Sequence, residues 1–257
     1  MAAPLPRLYD DLAWLWPLLS PPEQYLAEAL LLLDLIDTRL GPGPHTILEL
    51  GAGGGHTLVH LDARGGQPLG GDHHCTAVDL SGPMLEHCRQ LIPGIETHTA
   101  DMRNFELGQT FDVVLIHDAI DYLLTADDVA STLQRVHDHL RPGGLALIAP
   151  TYTRETFSDG ESADDAAASD THDLTYFSYV HDPDESDSSF EMILLYLIRD
   201  AQTRAVEVVE DRHTCGLFTR ADWLSMIESA GLSAEFVEQG DEDADGAWSL
   251  FVGRRVR

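Results

Sequence analysis

The chain has 257 residues, of which 44% are hydrophobic, so it can bury the core of one large α/β domain and is not globally disordered. Its formal net charge is −29, from 44 acidic residues against 15 basic ones, all arginine. This balance argues against binding to a nucleic-acid backbone, which requires basic side chains, and spread-out acids are typical of a surface adapted to high salt.

The first forty residues predict helices and no membrane partner. The apolar run Leu26–Ile36 is interrupted by Glu28 and Asp34 and is too short to span a bilayer. The N-terminus lacks the pattern of a signal peptide, and the three cysteines have no paired spacing. We therefore expect a cytoplasmic protein. Trp14, Trp16 and Tyr25 have near-helical spacing, which fits either an aromatic lid or ordinary packing.

From Thr46 onwards, strand and helix patterns alternate. The predicted strands are Thr46–Leu50, Thr76–Leu80, Ile95–Ala100, Phe111–Ile116 and Leu145–Ala149, and the predicted helices are Thr57–Leu61, Pro83–Leu91 and Asp127–Leu140. Such alternation predicts an α/β fold with a Rossmann-like, seven-stranded, mostly parallel sheet. The last two of the seven strands are Leu232–Val237 and Trp248–Arg254, after a helix that begins at Thr219.

The pattern changes after Pro150. Residues 159–187 contain ten acids and no Lys or Arg, and we expect part of this segment to be a mobile loop. Three strands follow, at Thr175–Val180, Phe190–Arg199 and Ala205–Thr214, and predict an antiparallel β-meander insert. The expected units are an N-terminal helical lid (1–44), a cofactor-binding core (45–150), the β insert over the active site (151–216) and the C-terminal part of the core (217–257).

The sharpest chemical signal is the glycine-rich turn after the first strand. Glu49 ends that strand, and Gly51, Ala52 and Gly53 follow, before a helix. Glycines there allow a ligand to approach the backbone closely. A carboxylate in this place suits a ligand with a positive amino group better than a pyrophosphate. The turn alone leaves two cofactor classes open, S-adenosylmethionine and a nicotinamide dinucleotide.

Acidic residues also end the next two strands. Asp79 is placed to bind ribose hydroxyls, with Leu80 and Met84 beside it for an adenine ring. Asp101 could accept a hydrogen bond from the adenine amino group. After Phe111–Ile116 come His117 and Asp118, which bring polar groups to the mouth of the sheet.

These motifs, in this order, resemble the class I S-adenosylmethionine-dependent methyltransferases. The matching stretches are Glu-Leu-Gly-Ala-Gly-Gly-Gly, Val-Asp-Leu-Ser-Gly-Pro-Met-Leu, Ala-Asp-Met-Arg, Phe-Asp-Val-Val and Leu-Arg-Pro-Gly-Gly. The resemblance implies S-adenosylmethionine as cofactor. It implies that the binding residues are Glu49, Gly51, Ala52, Gly53, Asp79, Leu80, Met84, Asp101, Met102 and Arg103, with His117 near the sulfonium.

A narrower resemblance is to a small-molecule branch that includes N,N-dimethyltransferases of nucleotide-linked amino sugars. It rests on the β insert, on Glu210-Asp211-Arg212-His213 and on the early Tyr9-Asp10. It implies that Tyr9 closes over the cofactor and that the insert can pair two subunits as a homodimer. The loop 64–75 is longer than usual for the family, and the segment Leu115–Tyr122 is about one residue shorter than in the sugar enzymes.

Methyl transfer to a neutral amine needs little help, whereas a protonated amine or a hydroxyl needs a base. The candidate catalytic residues are His117 and His213, because histidine titrates near neutral pH. The sequence predicts no metal site, although Asp118 with Asp121, or 72–75, could be considered. The function we expect is methyl transfer to an N or O atom of a small molecule. The alternatives are a NAD(P)-dependent oxidoreductase and a cofactor-binding protein without turnover.

Overall fold

Two β-sheets organise the computed structural model, which describes residues 5–65, 72–239 and 248–256. The α-helices in the described residues are α1 (Trp16–Leu19), α2 (Leu26–Leu40), α3 (Leu58–Leu61), α4 (Gly82–Leu91), α5 (Ala126–His139) and α6 (Arg220–Ser229). The strands are β1 (Thr46–Leu50), β2 (His74–Asp79), β3 (Glu96–Thr99), β4 (Phe111–His117), β5 (Leu140–Ala149), β6 (Ser162–Ala168), β7 (His172–His181), β8 (Ser189–Asp200), β9 (Val206–Gly216), β10 (Leu232–Gln239) and β11 (Trp248–Arg255). Four 3-10 helices lie at Arg7–Tyr9, Ala13–Leu15, Pro22–Tyr25 and Ala119–Tyr122.

The first sheet has seven strands in the order β10-β11-β5-β4-β1-β2-β3. Its pairs are parallel except those of β11, which runs antiparallel to both β5 and β10. Apolar clusters cover both faces, one with α2, α3 and α4 and the other with α5 and α6. The predicted Rossmann-like sheet is therefore confirmed. Its parallel strands place their carboxyl ends at one edge, where ligands bind in such folds.

Local sequence signals account for the starts of three helices, α4, α5 and α6. Ser81, Thr125 and Thr219 each precede a helix, and their side chains accept a hydrogen bond from a backbone N–H of the first turn. Thr219 and Asp222 form a complete capping box. Each cap contributes about 1 kcal/mol of helix stability. The cap at Ser81 is the one that matters for the site, because α4 begins directly behind Asp79.

The second sheet is the antiparallel insert, in the order β6-β7-β8-β9. It has four strands, whereas the sequence predicted three, and β6 occupies part of the acidic segment expected to be a mobile loop. The reason is that β6 is an edge strand that pairs only with β7, and nearly all its side chains are exposed. Main-chain hydrogen bonds hold such a strand, so it lacks the apolar pattern by which strands are recognised.

The N-terminal segment lies between the two sheets. Leu8, Leu12, Leu15 and Leu19 pack against apolar residues of β7, β8 and β9. The predicted lid, 1–44, thus divides into two parts: the segment from Leu8 to Leu19 contacts the insert, whereas α2 packs on the seven-stranded sheet. We keep the word lid for residues 5–25. Residues 66–71, the middle of the long loop 64–75, lie outside the described residues.

Candidate active site

A cavity of about 830 Å³ opens at the carboxyl ends of β1, β2 and β4 and is covered by the lid and β9. It brings together every residue expected to bind the cofactor. These are Tyr9, Glu49, Gly51, Ala52, Gly53, Asp79, Leu80, Met84, Asp101, Met102, Arg103 and His117. Residues spread over more than a hundred positions therefore share one surface.

The glycine turn follows β1 and is fixed to β2. The N–H groups of Gly51 and Ala52 both donate to the carbonyl oxygen of Val78, at 2.8 and 3.1 Å. Gly51 has φ +72°, and a Cβ there would lie 2.0 Å from Cβ of Ala119. Only glycine fits both the backbone conformation and the space, so the 3-10 helix Ala119–Tyr122 can close against the turn.

Asp79 ends β2 and orders the turn. Its Oδ2 accepts from the N–H of Gly53 at 2.8 Å, and its Oδ1 accepts from the N–H of Ser81 at 2.7 Å. Burial raises the pKa of Asp79 above its ordinary value, although these N–H groups oppose the shift. Each oxygen retains a lone pair, so the carboxylate can still accept hydrogen bonds from a pair of ribose hydroxyls.

Two carboxyl groups flank His117, and a third, that of Glu49, lines the same cavity. Glu28, from α2, places Oε1 3.2 Å from Nδ1 of His117, whose Nε2 lies 3.3 Å from Oδ1 of Asp118. Glu49 is 4% exposed, and its Oε2 has no hydrogen-bond partner within the described part of the chain. Burial raises the pKa of Glu49 well above its ordinary value, and Glu28 adds to the shift. This end of the cavity therefore fits a cationic group such as the ammonium of S-adenosylmethionine.

Aromatic rings from the lid form the wall beside these acids. Trp16 and Tyr25 line the cavity, and each ring centroid lies 5.7 Å from that of His56. Burial lowers the pKa of His56 to about 4, so this imidazole is neutral at pH 7. Trp14 points elsewhere and packs on His172 of β7 at 4.7 Å. Trp16 and Tyr25 thus face the site, as Tyr9 does, and Trp14 fixes the lid to the insert.

The other end of the cavity is apolar with a polar edge. Leu80 is 48% exposed there, a position where an adenine ring would cover it. Asp101 accepts from Arg103 at 2.6 Å, which lowers the pKa of its carboxyl group. Arg103 also donates to Asp128 at 3.0 Å. Arg103 therefore links the Asp101 loop to the start of α5.

His213, the second candidate base, lies one residue behind the cavity wall. It is 2% exposed, and Tyr122 stands between it and the cavity, with Oη 2.7 Å from Nδ1 of His213. Tyr122 Oη is also 3.0 Å from Oη of Tyr9. On the far side, Nε2 of His213 donates to Oδ2 of Asp211 at 3.0 Å. A hydrogen-bonded chain of four side chains thus joins the lid, the core and the insert.

Sequence reasoning missed Glu28, Tyr122 and Asp211 as site residues. Glu28 interrupts an apolar run, which is a visible signal for a buried acid. Asp211 alternates with His213 on β9, so the period of two places both on the same face. For Tyr122 no comparable signal exists, since the 3-10 helix that carries it has no clear pattern.

The described residues contain no group of three or more His, Cys, Asp or Glu side chains that could hold a metal ion. Asp118 and Asp121 instead bind Thr151, through its hydroxyl and its N–H. None of the helices in those ranges is long and apolar enough to cross a membrane.

Comparison with known proteins identifies the donor chemistry. A family profile described as "Methyltransferase domain" matches residues 47–144. The dTDP-3-amino-3,4,6-trideoxy-alpha-D-glucopyranose N,N-dimethyltransferase of Streptomyces venezuelae is 30% identical over 232 residues, which cover 90% of this chain and 91% of that protein.

Solved structures agree with this assignment. The crystal structure of Streptomyces venezuelae DesVI superposes with a TM-score of 0.77 at 27% identity, covering 96% of both chains. CalS10, described as an amino pentose methyltransferase from Micromonospora echinaspora and solved with bound SAM, gives 0.73 at 26% identity, over 90% of this chain and 92% of that one.

These relatives are methyltransferases, so the comparisons support methyl transfer and not the dehydrogenase alternative. The buried acid without a partner, the glycine turn and Asp79 fit the ammonium, the backbone approach and the ribose of S-adenosylmethionine. The chain therefore belongs to the family of S-adenosylmethionine-dependent methyltransferases that includes the amino-sugar N,N-dimethyltransferases.

Proposed function

We propose that this enzyme methylates the amino group of a sugar, using S-adenosylmethionine as the donor. The observation that carries the proposal is the second half of the cavity, which continues past the cofactor residues to Leu124, Thr125, Arg212 and Thr214. Such a mixture of apolar and hydrogen-bonding side chains suits a sugar. The named activities of the relatives, which act on dTDP-linked amino sugars, support the same acceptor class.

When bound, S-adenosylmethionine supplies an electrophilic methyl group, and the protein must hold a neutral amine in line with it. Burial raises the pKa of Tyr122 well above its ordinary value, and Tyr9 beside it adds to the shift. Burial also raises the pKa of Tyr9, so both phenols are protonated and neutral at pH 7. Tyr122 can therefore relay a proton, taking one up as it gives its own away, without persisting as a phenolate.

His213 is the proposed proton acceptor, acting through Tyr122. Asp211 only accepts hydrogen bonds, so Nε2 of His213 carries a proton and Nδ1 faces Oη of Tyr122 at 2.7 Å. In the structure the Tyr122 hydroxyl donates to Oη of Tyr9, and a short rotation of this hydroxyl directs its proton to Nδ1 of His213. As the amine loses a proton to Oη of Tyr122, the phenol's own proton moves to Nδ1. The resulting imidazolium is stabilised by Asp211. His117, beside Glu28 and Asp118, is proposed to act at the methionine end of the cofactor.

The direct test is incubation with S-adenosylmethionine and a nucleotide-linked amino sugar, followed by mass spectrometry for mono- and dimethylated products. The matched acceptor carries a hydroxyl in place of the amine, and Asp79→Asn serves as the variant with impaired cofactor binding. Methylation of the amine alone supports the proposal. Methylation of the hydroxyl sugar, or cofactor binding without any turnover across amines, contradicts it.

We also propose a homodimer through the outer face of the insert. Phe177, Leu195, Leu197 and Val208 are exposed, and the register pairs Phe177 with Leu195 and Leu197 with Val208. A contiguous apolar surface of this kind is typical of an interface. We expect Leu197→Asp to convert a dimer into a monomer in light-scattering chromatography, whereas Glu207→Gln on the same sheet leaves the dimer intact. A monomeric parent protein contradicts the proposal.

A cytoplasmic setting and adaptation to high salt remain proposals as well. Three buried, unpaired cysteines support a reducing compartment. The net charge of −29 supports activity in concentrated salt, because dissolved ions screen the repulsion between carboxylates. Thermal unfolding in rising KCl tests the second point: the midpoint is expected to increase, and a constant or falling midpoint contradicts it.

A further inference from the structure

Asp211 sits at the junction of the lid, the insert and the cavity. It is 5% exposed, lies on β9 and lines the cavity. Its carboxylate receives three hydrogen bonds, from the N–H of Arg7 to Oδ1 at 3.2 Å, from the N–H of Leu8 to Oδ2 at 2.8 Å and from Nε2 of His213 to Oδ2 at 3.0 Å. One buried acid therefore holds both the lid backbone and the candidate base.

The two backbone donors belong to the start of a helix. Arg7 and Leu8 open the 3-10 helix Arg7–Tyr9, where the first N–H groups have no partner inside the helix. Leu8 is buried, so its N–H would cost free energy if it were left without an acceptor. The lid can thus dock in this position only against an acceptor such as Asp211.

Docking at Asp211 fixes the residue that follows. Tyr9 comes directly after Leu8, and its carbonyl oxygen accepts from the hydroxyl of Ser81 at 2.6 Å, two residues beyond Asp79. The Tyr9 ring lines the cavity, with its centroid 5.7 Å from that of His213. The lid is therefore attached at two points, one on the insert and one beside the ribose-binding acid, with the cavity-lining Tyr9 between them.

We propose that Asp211 is a positioning residue that couples closure of the lid over the cofactor to the hydrogen-bonded orientation of His213. The same carboxylate keeps the proton of His213 on Nε2 and accepts the hydrogen bonds of the lid backbone. His213 is therefore correctly oriented when the lid is closed. Burial alone would raise the pKa of Asp211, but the hydrogen bonds from His213 and Leu8 outweigh it and lower the pKa, which keeps the carboxylate charged. The inference rests on the cofactor site and does not depend on the identity of the acceptor.

The coupling can be measured without turnover, by hydrogen exchange of the full-length protein with and without S-adenosylhomocysteine. In Asp211→Asn, an amide replaces one acceptor oxygen, and exchange of the Arg7 and Leu8 amides is expected to rise roughly 10- to 100-fold. Calorimetry is expected to give S-adenosylhomocysteine binding weaker by roughly fivefold or more. Asp211→Glu keeps the charge and is expected to restore part of both properties.

Two controls separate this coupling from other effects. His213→Gln removes the base but leaves the acceptor of the lid, so lid exchange stays close to that of the unmodified protein even if the proposed proton transfer is abolished. Glu185→Gln changes an exposed acid of the insert, in the turn between β7 and β8, and leaves both readouts unchanged. The proposal is overturned if Asp211→Asn leaves lid exchange unaltered, or if β1 amides lose protection to the same extent, which would indicate general destabilisation.

Discussion

Glu28 provides a quantitative test of the acidic end of the cavity. Its side chain is 17% exposed, and burial raises its pKa from 4.5 to about 7, although attraction to His117 opposes the shift. Between these two pH values the folded protein keeps a proton that the unfolded chain has released. The contribution of Glu28 to the free energy of unfolding therefore falls as pH rises through this window, by about 3 kcal/mol in total, and does not change further above it.

The glutamine side chain of the Glu28→Gln variant is neutral at every pH, so this variant lacks the loss of stability that Glu28 causes as pH rises. We expect its free energy of unfolding, relative to the unmodified protein, to increase by about 2–3 kcal/mol from about pH 5 to pH 8. Urea titrations of the cofactor-free protein at constant ionic strength measure the difference. S-adenosylhomocysteine, whose ammonium supplies a positive charge, is expected to make the pH dependence of the unmodified protein shallower.

The exposed Glu23, on the 3-10 helix before α2, is the matched control. Glu23→Gln is expected to follow the pH dependence of the unmodified protein. If Glu28→Gln and Glu23→Gln give parallel curves, then the pKa of Glu28 is not raised by burial. The assignment of this acidic end of the cavity to a cationic group of the ligand would then lose its support.

Three further predictions concern the rest of the site. Gly51→Ala and Gly108→Ala each place a side chain on a backbone with positive φ, at a cost of about 1–2 kcal/mol. Only the Cβ at position 51 meets a neighbouring atom, so the urea midpoint of Gly51→Ala is expected to fall further than that of Gly108→Ala. Equal midpoints would refute the close approach. Asp79→Asn is expected to weaken S-adenosylhomocysteine binding, because hydrogen bonds of about 1–1.5 kcal/mol each are lost to the ribose; unchanged calorimetric affinity would remove Asp79 from the site. Tyr122→Phe and His213→Gln are each expected to lower kcat by roughly 100-fold with no further loss in the double variant, and multiplicative losses would show that the two residues act independently.

The grouping in one cavity of the residues expected to bind the cofactor was predictable because these residues are local in sequence. Glu49, Gly51 and Gly53 lie on one turn, and Asp79 ends the adjacent strand, so strand order alone brings them together. Leu80 and Met84 follow from the helix that Ser81 caps. Each of these residues takes its position from an element of fewer than a dozen residues, which hydrophobic pattern and turn chemistry describe well.

The grouping of Tyr122, His213 and Asp211 was predicted less completely because tertiary contacts build it. Asp211 reaches the lid across 203 positions of sequence, and Tyr122 reaches His213 across 91. No periodicity encodes such contacts. The strand β6 was missed for a different reason, since an edge strand held by backbone pairing tolerates any polar sequence.

The way in which the insert joins the core has an evolutionary consequence. The chain leaves the seven-stranded sheet after Ala149 and returns to it before Arg220, and a Cβ on Gly216 would lie 2.5 Å from the carbonyl oxygen of Leu123. The attachment point is therefore close-packed, and β9 is held against the core where it supplies Arg212 and Thr214 to the cavity. Because Asp211 on the same strand holds the lid, a lineage that changes the acceptor through Arg212 and Thr214 is expected to keep Asp211.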